Sequence, residues 1–195
     1  MTLAMERVLV VAAHPDDEVL GCGGLMHKLI GAGCVVRVFI LGEGSSCRFG
    51  RELIGSEEVA RTIAQRRGFA EQALTVLGVR DVIFGTLPCG RFDQEPILDI
   101  GKRIEAEIAS FRPDTLLTHS ASDANHDHRL TFDAVVVATR PIPTSCVRNL
   151  LTFEIPSSTE WRFVETFQPG YFVGIDANID AKVRAFACYE PTEGR

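Results

Sequence analysis

No stretch of this sequence is strongly basic, none is apolar for long enough to cross a bilayer, and no two cysteines form a CxxC pair. Each absence removes a class. With 20 Lys and Arg against 26 Asp and Glu, the formal charge is −6. A nucleic-acid backbone binder normally presents a positive face, so that class is set aside. The N-terminal apolar run, Val8 to Ala13, is far shorter than the roughly 20 residues of a membrane span. Arg7 precedes it and His14-Pro15-Asp16-Asp17-Glu18 follows, which is not how a signal peptide ends. Six cysteines spaced by 12 residues or more suggest neither a zinc ribbon nor a thioredoxin-like site. A chain of 195 residues, 46% hydrophobic, does not need disulfide staples, so the thiols are read as reduced and the compartment as cytoplasmic. Gly (17) and Pro (9) are too few for a low-complexity chain.

What is present is an alternation of strands and helices. Val8 to Ala12 is a valine-rich run of the kind buried on both faces of a sheet. Apolar residues at helix spacing run from Glu18 to Ile30, closed by Gly31 and Gly33, and Val35 to Leu41 reads as a second buried strand. This βαβ unit implies a parallel sheet. Helices are expected at 56–77, 97–111, 127–139 and 179–189, and strands at 82–84, 115–119, 150–153 and 171–175. Phe163, Phe167 and Phe172 are read as core or interface, with core as the default. The fold class is α/β, a Rossmann-like three-layer sandwich with a mostly parallel sheet, and 1–195 is read as one domain.

Ligands bind such sheets at the carboxyl ends of the strands. His14, Asp16 and Asp17 follow the first strand, and His119, Asp123, Asn125, His126, Asp127 and His128 cluster after the strand at 115–119. A helix N-terminus attracts acids for its dipole alone. Two clusters on one edge point instead to a metal. His14 and Asp17, three apart where strand turns into helix, converge on one ion, and His128 supplies a third ligand, with His126 an open alternative. Two imidazoles and a carboxylate leave a position for water, as catalytic zinc requires. Asp16 then serves as general base. The same ligand set also makes the facial triad of a non-haem iron oxygenase, which is the competing reading. Gly21-Cys22-Gly23-Gly24 lies within a helix rather than at a phosphate-cradling turn, so it is assigned to close helix-to-sheet packing.

Ala13-His14-Pro15-Asp16-Asp17-Glu18 followed by Gly21-x-Gly23-Gly24 resembles the signature of the LmbE/PIG-L family of zinc-dependent N-acetyl-sugar deacetylases. Asn125-His126-Asp127-His128-Arg129 is similar to its second motif. The likeness extends to Leu87 to Asp93, to Ser157 to Trp161 and to Tyr171 to Ile175. It implies His14, Asp17 and His128 as Zn2+ ligands, preferring His128 over His126, and Asp16 as general base. It places Arg66 against substrate, although a solvated helix residue is an equal reading, and Arg48 is a further candidate for sugar hydroxyls or phosphate. The implied reaction is removal of acetyl from an N-acetylglucosamine-type sugar, free or nucleotide-, lipid- or thiol-linked.

Three departures stand out. Asn125 occupies a position where some members carry His; it can donate to an oxyanion but cannot act as an acid near neutrality. Cys89-Gly90 replaces an Asp-containing turn. The family's C-terminal tail is not found after Tyr189, which leaves three expectations: a site more open than usual, a tail role filled by another chain, as in a homo-oligomer, or a chain that keeps its metal and is inactive alone.

Overall fold

The computed structural model describes residues 3–142, 145–163 and 165–189. Five strands form one all-parallel sheet, β1 (Arg7–Ala12), β2 (Val35–Gly42), β3 (Asp81–Leu87), β4 (Thr115–His119) and β5 (Asn149–Phe153). Their order is β3-β2-β1-β4-β5, in which β1 pairs with β2 through Val8↔Val36 and with β4 through Val8↔Thr115. The chain therefore winds outward from β1, returns, and winds the other way from β4. That reversal leaves a crevice at the ends of β1 and β4.

The two-residue period of β1 builds both layers. Val8, Val10 and Ala12 join the core under α1 (Asp17–Gly31), α2 (Glu57–Val76) and α5 (Ile179–Ala187). Leu9, Val11 and Ala13 face α3 (Ile97–Phe111) and α4 (His126–Ala138). Being buried on both sides, β1 is wholly apolar from Val8 to Ala12 and β2 carries Arg37 alone among polar side chains, whereas β4 buries Thr115, Thr118 and His119 beside its two leucines. The three-layer sandwich expected from the sequence is present, with a sheet that is wholly parallel.

The glycines of α1 act as expected, together with a kink at Cys22 (φ −138°). A Cβ on Gly21 would run into the Phe153 ring of β5, and one on Gly24 would stand 2.6 Å from Ile175 Cδ1. Small residues here let the bent helix close on the sheet edge.

Two expectations are corrected. Residues 171–175 form no strand; Val173 and Ile175 turn inward while Tyr171 and Phe172 turn out, and no neighbouring strand takes up their backbone. The apolar alternation there serves packing of single side chains. Phe163 and Phe172 are 88% and 79% exposed rather than core, because they lie on segments that no ladder or helix folds inward. Among the described residues, no helix is long and apolar enough to cross a membrane, and all six cysteines are free.

Candidate active site

The crevice between β1 and β4 gathers the histidines. Asp17 opens α1, and its Oδ2 accepts the His14 backbone N–H at 2.8 Å, which closes the strand-to-helix turn and puts both side chains on one side. His128, in the first turn of α4, brings Nε2 to 3.2 Å from the same oxygen, and His14 Nδ1 lies 3.5 Å from it. One donor atom from each of the three falls within 4.8 Å of the others, and all three residues are buried. His126 points elsewhere: it is exposed and its Nδ1 accepts from Arg129 Nη2 at 3.1 Å. The turn of α4 thus brings His128, and not His126, to Asp17 and His14.

Each of the two imidazoles has a carboxylate behind it. His14 Nε2 meets Asp127 Oδ2 at 2.8 Å, and His128 Nδ1 meets Asp123 Oδ2 at 3.2 Å. Asp127 is itself held by the N–H groups of Gly90 (2.6 Å) and Phe92 (3.2 Å). Asp123 is held by Ser158 Oγ at 3.0 Å and Thr159 Oγ1 at 2.8 Å. Carboxylates in this second position fix the tautomer of a ligating imidazole and raise its basicity. The His14–Asp17–His128 group therefore suits a divalent ion. Two overlapping groups, His14–Cys89–Asp127 and His119–Asp123–His128, use the supporting carboxylates themselves as ligands, in place of their contacts with the imidazoles.

The charges agree with this choice. Burial alone would lower the His14 pKa, yet the Asp127 and Asp17 carboxylates raise it to about 10. His128 is likewise lowered by burial but lifted to about 9 by Asp17 and Asp123. Burial would raise the Asp17 carboxyl, but the charge of neighbouring His128 and the contacts with His128 and His14 hold it well below the usual range. So many carboxylates in one crevice call for positive charge, which protons supply when no metal is bound. Both imidazoles are then protonated at pH 7, and a metal ion must displace those protons. Affinity for the ion is expected to rise with pH, by up to roughly 100-fold per unit while two protons are released, and to level off above pH 9 to 10. Calorimetric titration in buffers of different ionisation enthalpy counts the protons; none released at pH 7 would contradict the assigned ligands.

His119 forms the floor. Its Nε2 accepts the Ala13 N–H at 2.9 Å, and its ring stacks on His128 with centroids 4.0 Å apart. Burial and the charge on His128 hold it well below the ordinary histidine range, so it is neutral.

Asp16 stands beside the ligands in an unusual backbone conformation, with φ 112°, a region L-residues seldom occupy. Its neighbours hold it there. Arg66 of α2 donates through Nη2 to Asp16 Oδ2 and to the Pro15 carbonyl, both at 2.8 Å. Glu18 Oε2 accepts the Asp16 N–H at 3.0 Å, while Glu18 Oε1 accepts from the Tyr189 hydroxyl at 2.7 Å. Burial pushes the Glu18 carboxyl up to about 7.

Arg66 is accordingly not a solvated helix residue: it is 3% exposed and bound to the Asp16 turn. Arg48 is exposed at the end of the single 3-10 turn Ser46–Arg48. Asn125 caps α4, its Oδ1 accepting the Asp127 N–H at 2.9 Å. Sequence reasoning did not give roles to Asp123, Asp127, Glu18 and Tyr189. The first two carry a signal, since Asp123 and Asp127 lie among the three histidines of residues 119–128. No local pattern links Glu18 with Tyr189.

The family model described as "PIG-L: GlcNAc-PI de-N-acetylase" matches residues 9–139. A diacetylchitobiose deacetylase of Thermococcus kodakarensis is 28% identical over 194 residues, covering 95% of this chain and 70% of that protein. The N,N'-diacetylchitobiose deacetylase of Pyrococcus horikoshii, solved with an inhibitor, superposes with a TM-score of 0.76 at 20% identity, over 95% of this chain and 70% of that one. A 4-carboxy-2-hydroxymuconate hydratase from Pseudomonas putida shares the fold as well, with a TM-score of 0.71 at 24% identity over 97% of this chain and 81% of that one. The matched segment spans about two thirds of the chain and holds the three ligand candidates, their supporting carboxylates and Asp16. On that match this chain belongs to the PIG-L family, the GlcNAc-PI de-N-acetylase family.

Proposed function

We propose that the protein is a zinc-dependent hydrolase that removes the acetyl group from an N-acetylglucosamine-type sugar or glycoconjugate. The observation that carries this reading is the buried His14–Asp17–His128 group, each imidazole backed by a carboxylate, with Asp16 held beside it. The family match and the deacetylase relatives support the same class and lend nothing to an iron oxygenase. His14, Asp17 and His128 would hold the ion. When bound, zinc supplies Lewis acidity and brings the pKa of a water to about 7.

The remaining work falls to this chain's own side chains. Asp16 accepts a proton from the attacking water at its carboxylate, which Arg66 orients. Water adds to the acetamide carbon, and the Asn125 NH2 donates a hydrogen bond to the oxygen as negative charge develops there. As the C–N bond breaks, Asp16 returns the proton to the departing nitrogen, leaving acetate and a free amine. Asn125 cannot supply that proton, and His119 is neutral and bonded to Ala13, so Asp16 takes both roles. Arg66 acts as a positioning residue, and Arg48 is assigned to sugar hydroxyls or phosphate at the rim.

Zinc-loaded protein should release acetate from N,N'-diacetylchitobiose or a related N-acetylglucosamine conjugate, with one amine exposed per acetate. No acetate from any N-acetyl sugar by protein shown to carry zinc would overturn the reading.

A further inference from the structure

Cys47 and Cys89 stand sulfur to sulfur at 2.9 Å beside the crevice, and neither metal binding nor proton transfer uses them. Cys47 is exposed on the 3-10 turn Ser46–Arg48, while Cys89 is buried in the turn after β3. The Cys89 thiol donates to the Cys47 sulfur, so the solvent-facing sulfur is the hydrogen-bond acceptor. The two segments are held in register by one side chain. The Glu43 carboxylate accepts the N–H groups of Ser45 (2.6 Å) and Ser46 (3.0 Å) on one side and of Cys89 (2.8 Å) on the other. This is a pre-set pair of thiols, one accessible and one behind it.

We propose that Cys47 and Cys89 are a redox dithiol that a hydroperoxide closes into a disulfide, and that the closed form holds metal more weakly. In the first step the Cys47 thiolate attacks one peroxide oxygen. The O–O bond breaks, the other oxygen leaves as an alcohol or water after taking a proton from solvent, and Cys47 becomes a sulfenic acid. In the second, the Cys89 sulfur attacks Cys47, the S–O bond breaks and water leaves, carrying the Cys89 proton. Two electrons pass from the thiols to the peroxide. The sulfurs need to approach by roughly 0.9 Å to reach the S–S length of about 2.05 Å.

That movement acts on the turn that supports His14. Gly90, next in the chain after Cys89, donates its N–H to Asp127, and Asp127 meets His14 Nε2. Drawing Cys89 toward Cys47 loosens this support, and disturbed supporting carboxylates cost about 10- to 100-fold in metal affinity. The effect on metal rests on the reading of His14 as a ligand; the chemistry of the thiol pair does not.

The test treats the full chain with one equivalent of hydrogen peroxide and maps unreduced peptides by mass. The expected result is a Cys47–Cys89 bridge, reversed by dithiothreitol, and a sulfenic acid trapped on Cys47 by a dimedone probe in Cys89→Ser. Oxidation falling first on Cys34, Cys146 or Cys188, or no bridge in the folded protein, would overturn the dithiol. Zinc affinity of the bridged and reduced forms is then compared by competition with a chelator. A drop of about tenfold or more is expected, and equal affinities in a protein that does bridge would overturn the link to the site.

Discussion

Asp16→Asn should keep its zinc and lose acetate release by roughly 100- to 10,000-fold, the range contributed by a positioned acid–base group. The substitution preserves size, and an amide oxygen can still accept from Arg66 Nη2, which stands 2.8 Å from Asp16 Oδ2. The Asp16 N–H keeps Glu18 as its acceptor. The strained turn therefore persists, and what disappears is a group able to take a proton from water and give it to the amine. Zinc content by elemental analysis separates this loss from loss of the metal. Turnover within tenfold of the parent would remove Asp16 from the reaction.

His128→Ala should abolish stoichiometric zinc. The parent is expected to carry about one ion per chain and the variant far less, with affinity reduced beyond the 10- to 100-fold typical of supporting residues. His128 is 3% exposed and touches Asp17 on one side and Asp123 on the other. Removing it takes one partner from each of two buried carboxylates, and a broken buried pair costs about 3–5 kcal/mol. Folding of the variant is therefore checked by circular dichroism before its metal is measured. A folded variant with a full complement of zinc would refute the ligand set, and iron in the parent would restore the oxygenase reading.

Much of the architecture could be read directly because it depends on local patterns. Strands buried on both faces are mostly apolar, so β1 and β2 show as runs, while β4 shows through Leu116 and Leu117 between buried Thr115 and Thr118, and the crevice follows from their order. The same logic misleads at 171–175, where an apolar stretch lacks a strand to pair with. Arg66 illustrates a second difficulty. Beside Arg67 on a helix it resembles a surface charge, and only the packing of α2 over the Asp16 turn shows that one arginine is buried and its neighbour exposed. The grouping of His14, Asp17 and His128 was apparent from residue type and spacing, whereas the carboxylates set behind the two imidazoles were not. Asp123 is held by Ser158 and Thr159 from beyond β5, and Glu18 by a tyrosine 171 residues away.

That last contact couples the two ends of the sequence. The Asp16 turn lies in its first tenth, yet the Glu18 carboxyl that accepts the Asp16 N–H is itself hydrogen-bonded by the Tyr189 hydroxyl, the last of the described residues. Removing that hydroxyl, as in Tyr189→Phe, would leave one Glu18 oxygen without this donor and so reach the Asp16 backbone from the opposite end of the chain.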